Sequence, residues 1–150
     1  MKFERLSNKE LQSLEKEFIQ FLIVNGIVAT DWEKIKKENQ EKAEKLIDMF
    51  SDMVWEKSLE KIKFLEHRTP TSIKVFNCKK EMIELIGVDA DHKAFGTKDI
   101  VFDPKKKYSL FQHQKKYSPD REIELYKMIK SGCYVADKKH FEILKKLNDS

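Results

Sequence analysis

The sequence predicts an α+β fold in which N-terminal helices pack on a small antiparallel sheet and a C-terminal helical pair follows. Three observations carry that expectation. Apolar residues recur at spacings of three and four through most of the first 65 positions. Two short β-rich runs, Ile73 to Cys78 and Met82 to Val88, come next, separated only by Lys79-Lys80-Glu81, the length of a short hairpin loop. Helical spacing then returns after Pro119 and again after Asp137. Neither half has the means to hide its apolar faces alone. A single domain over 1–150 is therefore expected, with a helical part at 1–67 and a mixed α/β part at 72–150.

Ser7-Asn8-Lys9-Glu10 reads as a capping box. The Ser7 hydroxyl can accept one free helix N–H while the Glu10 carboxylate accepts another. Leu11, Leu14, Phe18 and Leu22 then line one face of a single amphipathic helix that Gly26 stops. A second start signal, Thr30-Asp31-Trp32-Glu33, opens a helix through Trp32 and Ile35 that breaks in the polar stretch Lys36 to Glu41. From Ala43 a long helix is expected through Leu46, Ile47, Phe50, Val54, Leu59, Ile62 and Leu65, ending before Thr69-Pro70. The hairpin follows, with Ile100 to Phe102 as a third strand and a polar, lysine-rich segment after Pro104. Pro119 marks the start of a helix through Ile123, Leu125, Met128 and Ile129 that Ser131-Gly132 ends. Asp137 caps the last helix, whose inner side holds Phe141, Leu144 and Leu147.

A chain of 150 residues can bury a core without staples. Its 40% hydrophobic content and ten Phe mark it as globular despite a mean hydropathy of -0.64. The two cysteines, Cys78 and Cys133, form no CxxC pair and read as reduced thiols. Met1 to Arg5 lacks the apolar core of a signal peptide, and the run Phe21 to Val24 is too short to span a bilayer. A cytoplasmic protein without a membrane partner is expected. The four glycines are isolated, which leaves no phosphate-cradling loop and no dinucleotide fingerprint, and neither GxSxG nor HExxH occurs. No cofactor, no catalytic residue and no metal ligand is assigned.

Charge is uneven along the chain. Residues 1–71 carry 13 basic and 14 acidic side chains, net -1, whereas residues 72–150 carry 17 and 12, net +5. Within the basic half, Lys105, Lys106, Lys107, Lys115 and Lys116 alternate with Tyr108, Phe111, His113 and Tyr117, with no acid between. Lysines in such a run can hold phosphates while the rings stack on bases. The competing reading is a solvated loop anchored by its aromatics. The lysines of the last helix are explained by its dipole alone.

Two other groups of residues are candidates. Met49, Met53 and Trp55 place large apolar side chains around the long helix, as a protein-binding face would. Asp89, Asp91 and His92 follow a strand and could approach a cation, and Cys133 could serve as a thiol nucleophile, which together suggest a small metal- or thiol-dependent enzyme. Asp is also a common turn residue, and free Cys is most often a small buried apolar group.

Several segments are similar to an uncharacterised family of short cytosolic proteins of Bacteroidota. They are Met1 to Leu6, Phe50-Ser51-Asp52 with Val54-Trp55-Glu56-Lys57, and Leu65-Glu66-His67. Phe76-Asn77-Cys78, Tyr117-Ser118-Pro119-Asp120-Arg121 and Ser131-Gly132-Cys133 continue the likeness, which is least over 89–107. It implies a cytosolic location and one compact domain and lends no activity. The expectation for function is a non-enzymatic accessory protein that binds an anionic partner, RNA or a ribonucleoprotein foremost, through Lys105 to Tyr117. A protein–protein adaptor is the alternative.

Overall fold

The structure is a computed structural model that describes residues 1–96 and 99–149. The chain forms two compact units, Met1–Ser58 and Leu59–Ser150. No helix among the described residues is long and apolar enough to cross a membrane.

The first unit is helical. The capping box forms as expected, with the Glu10 N–H donating to Ser7 Oγ and the Ser7 N–H to Glu10 Oε1. The expected single helix is instead two, α1 (Asn8–Ser13) and α2 (Glu15–Val24), because the backbone leaves helical geometry at Leu14. Gly26 follows α2 with a φ of 77°, the left-handed conformation that glycine adopts without strain. Helix α3 (Ala29–Glu38) starts without a side-chain cap, so Thr30 and Asp31 lie inside it rather than before it. The expected break falls at Asn39, and α4 (Gln40–Glu60) follows. Leu22, Ile27 and Leu46 form a buried cluster on which Phe18, Phe21, Trp32 and Ile35 pack, with Phe18 and Phe50 in edge-to-face contact at 5.0 Å.

The residues that carry the family likeness in this unit meet in space. Asp52 of α4 accepts the backbone N–H groups of Lys2 and Phe3 at 2.7 and 2.9 Å, and the fully buried Ser51 Oγ accepts the Leu6 N–H at 3.0 Å. Arg5 donates to Asp48 at 2.6 Å, which holds the Asp48 carboxyl below the usual carboxylate range. Phe-Ser-Asp thus pins the N-terminal segment, and Phe3 and Leu6 become core residues.

The second unit is built on a five-stranded antiparallel sheet of order β4-β3-β2-β1-β5. Its strands are β1 (Phe64–Thr69), β2 (Ser72–Cys78), β3 (Met82–Ala90), β4 (Tyr108–Lys116) and β5 (Tyr134–Ala136). The β2–β3 hairpin turns where expected. Helices α5 (Arg121–Lys130) and α6 (Lys139–Asp149) complete the α+β architecture. Ile73, Val75, Ile86 and Val88 meet Phe141 and Leu144 of α6 in one buried cluster that also takes Phe95.

Three assignments are corrected. Residues 64–68, expected at the end of the long helix, belong to β1. Their alternation is hidden because the side chains that β1 turns toward α6 include Glu66 and Arg68, which are polar yet buried or nearly so. The lysine-rich segment, expected to be irregular, is strand β4 from Tyr108 onward. Ile100 to Phe102 is not a strand; Ile100 and Phe102 pack on the core cluster from a loop instead. Tyr134 and Val135 lie on edge strand β5 and are 44% and 62% exposed.

Candidate nucleic-acid interface

Strand β4 lies at one end of the sheet, and among the described residues no strand pairs with its outer edge. Side chains alternate along a strand, so the predicted residues divide between two faces. Phe111, His113 and Lys115 share one face, opposite Gly87, Leu85 and Ile83 of β3. Tyr108 is on the other face, where it touches the Phe102 ring at 5.0 Å and accepts the Asp103 N–H on its hydroxyl. Lys105, Lys106 and Lys107 lead into the strand and are exposed, as is Lys116 at its end.

Besides Tyr108, two more of the nine predicted residues are engaged by the fold. The Tyr117 hydroxyl donates to the Lys79 carbonyl at 2.7 Å, and burial pushes its pKa up to about 12. Lys115 is ion-paired with Glu124 of α5, a side chain only 11% exposed. Lysines on an exposed edge strand also discourage pairing with another chain's edge. The strand therefore uses its basic residues in more than one way.

The face shared by Phe111 and His113 opens onto a cavity of about 450 Å³ between the sheet and α5. Cross-strand pairing sets Phe76, Leu85 and His113 in one row, with Lys74, Gly87 and Phe111 in the next. Phe76, Ile83, Leu85, Met128 and Cys133 give the cavity an apolar lining, and His113, Lys127 and the Lys115–Glu124 pair add its charged and polar groups. Sites of 300 to 1,000 Å³ with this mixture are typical of ligand pockets. Sequence reading found His113 and Lys115 here but missed Phe76, Leu85, Lys127 and Met128. Nothing in a linear sequence shows that three strands and α5 bring these side chains together.

The Tyr117-Ser118-Pro119-Asp120-Arg121 segment braces one end of this cavity. Asp120 caps α5 by accepting the Ile123 N–H at 3.0 Å. The Arg121 guanidinium donates to the carbonyls of Leu59, Ile62, Cys78 and Lys79. One side chain thus ties the segment before β1 to the β2–β3 turn.

The other candidates are dispersed. Asp89 accepts the Ser72 hydroxyl, whereas Asp91 contacts His92 Nδ1 at 2.9 Å, and the described residues contain no group of three or more His, Cys, Asp or Glu arranged to hold a metal. Burial pushes the Cys78 thiol up to about 12 and raises that of Cys133, so neither is activated as a thiolate near neutral pH. On α4, Met49 is 49% exposed and Met53 lies one turn on, but Trp55 is half-buried with its ring 6.4 Å from that of Phe3.

One cluster has no counterpart in the sequence reading. Glu66 of β1, 2% exposed, is contacted through Oε1 by His140 Nδ1 at 2.5 Å and through Oε2 by the Tyr134 hydroxyl at 2.7 Å. Arg68 Nη2 lies 3.8 Å from Oε2. These residues are up to 74 positions apart, and no spacing in the chain announces them.

Over residues 1–149 the chain matches a family of unknown function, DUF6495. The chain belongs to that family. No curated protein and no solved structure matches it. Membership in DUF6495 brings no activity, so functional conclusions rest on the geometry of the chain itself.

Proposed function

We propose that this protein is a non-enzymatic binding protein for an anionic partner, RNA or a ribonucleoprotein, engaged along β4. The observation that carries the proposal is the neighbourhood of Phe111 and His113, side by side on a strand face that opens into an apolar cavity with Lys74, Lys115 and Lys127 close by. Rings beside an apolar recess, His113 exposed and Phe111 partly so, offer stacking surfaces to unpaired bases, and stacking of this kind is tolerant of sequence. Lys105, Lys106, Lys107 and Lys116 extend the positive charge along the backbone of such a ligand. Of the rings in the basic run, Phe111 and His113 are the base contacts, while Tyr108 and Tyr117 serve the fold.

The experiment is affinity capture of the tagged protein from a lysate of its own cells, with and without nuclease and at low and high salt. Nucleic acid that co-purifies, and is lost on nuclease or salt treatment together with its proteins, supports this function. A defined protein partner that survives both treatments, with no nucleic acid recovered, overturns it in favour of an adaptor.

A further inference from the structure

We propose that Arg68 and His140, held in place by Glu66, form a second binding site that takes a small oxyanion, a carboxylate or phosphate group. The site is on the opposite face of the sheet from Phe111 and His113, in a depression of about 380 Å³ lined by Glu66, Arg68, Tyr134, Val135, Asp137 and His140.

Burying a carboxylate costs several kcal/mol unless its lone pairs are met, and apolar residues of similar volume hold a fold together at least as well. Glu66 is met on both oxygens, so its cost is offset, but packing alone gives no reason to place it there. Its effect is to orient. By contacting Nδ1 of His140 at 2.5 Å it fixes the imidazole and leaves Nε2, which donates to an oxyanion in the imidazolium form, to a guest. Arg68, 13% exposed at the side chain, turns toward the same point, its Nη2 3.8 Å from Glu66 Oε2 and 3.5 Å from His140 Nδ1. The first turn of α6 begins here as well: His140 is its second residue, and the Lys139 N–H donates to Asp137 Oδ1. The guanidinium beside the imidazole attracts an anion, and its planar fork suits the paired oxygens of carboxylate and phosphate.

The test uses the full chain with two probes, inorganic phosphate and acetate, at constant ionic strength, reading the imidazole nitrogen and Arg side-chain signals by NMR. At least one probe should shift the His140 and Arg68 signals saturably, and Arg68→Gln and His140→Gln should each weaken that binding about tenfold or more with the amide spectrum otherwise preserved. A response to phosphate alone assigns a phosphate group, and to acetate alone a carboxylate; either supports the site. Shifts that never saturate for either probe, or an affinity unchanged in both variants, overturn it and leave Glu66 as a structural tie. Replacing Lys105, Lys106, Lys107 and Lys116 by Gln should leave phosphate or acetate binding here intact, so this site and the β4 surface fail or stand separately.

Discussion

Phe111 of β4 stands opposite Gly87 of β3, and its ring occupies the space that a side chain at 87 would need. The missing Cβ lets the ring lie against the sheet beside His113, whose ring centroid is 6.3 Å away. Gly87→Ala should force the ring to move and cost about 1–3 kcal/mol, as overpacking does. In a Phe111→Ala background the same substitution should cost much less. A double-mutant cycle by urea denaturation reads this coupling; additive effects would show that the ring does not depend on Gly87.

The Arg121 guanidinium serves four backbone carbonyls at once. Arg121→Ala leaves several of them without a donor and should destabilise the second unit by about 2–4 kcal/mol, with Arg121→Lys intermediate, because an ammonium cannot span the same positions. Equilibrium unfolding of the two variants checks the order.

Asp52 binds the first residues of the chain through two backbone N–H groups. Asp52→Ala should cost about 1–2 kcal/mol and expose the amides of Lys2 and Phe3 to rapid hydrogen exchange. Protection retained at those amides would show that Phe3 and Leu6 hold the segment by packing alone.

Burial raises the pKa of Cys78 to about 12, so the folded state keeps the thiol protonated. An unfolded thiol ionises near about 8.5. Because the folded pKa lies above the unfolded one for this acid, the thiol's contribution is intact below about pH 8.5 and is lost as pH rises toward 12. Wild-type stability should therefore fall more steeply between pH 9 and 11 than that of Cys78→Ala. Native Cys78 and Cys133 should also resist alkylation near neutral pH until urea is added; fast native labelling of Cys133 would revive a thiol chemistry.

Much of the fold is legible before any coordinates. Ser7 and Glu10, the Lys79-Lys80-Glu81 turn, and Phe141 with Leu144 all report local geometry through local spacing, and each behaves as that spacing predicts. What is not legible is non-local. β1 resembles a helix continuation because Glu66 and Arg68 are buried by partners on β5 and α6, which removes the alternation that marks a strand. β4 resembles a loop because an edge strand carries polar side chains on both faces. The site divides in the same way: the basic run is visible as composition, but its separation into Phe111 and His113 on one face and Tyr108 on the other follows from register with β3.

The central claim is most directly tested by the salt dependence of binding to a fluorescently labelled single-stranded RNA, for wild type and for a variant with Lys105, Lys106, Lys107 and Lys116 replaced by Gln. The wild type should bind at low salt with a log–log slope that the variant reduces by about 0.7 for each phosphate contact removed, about 2 to 3 in all, at an unchanged melting temperature. Absence of wild-type binding at low salt, or equal affinity and slope in the variant, would contradict the assignment of β4 as the interface.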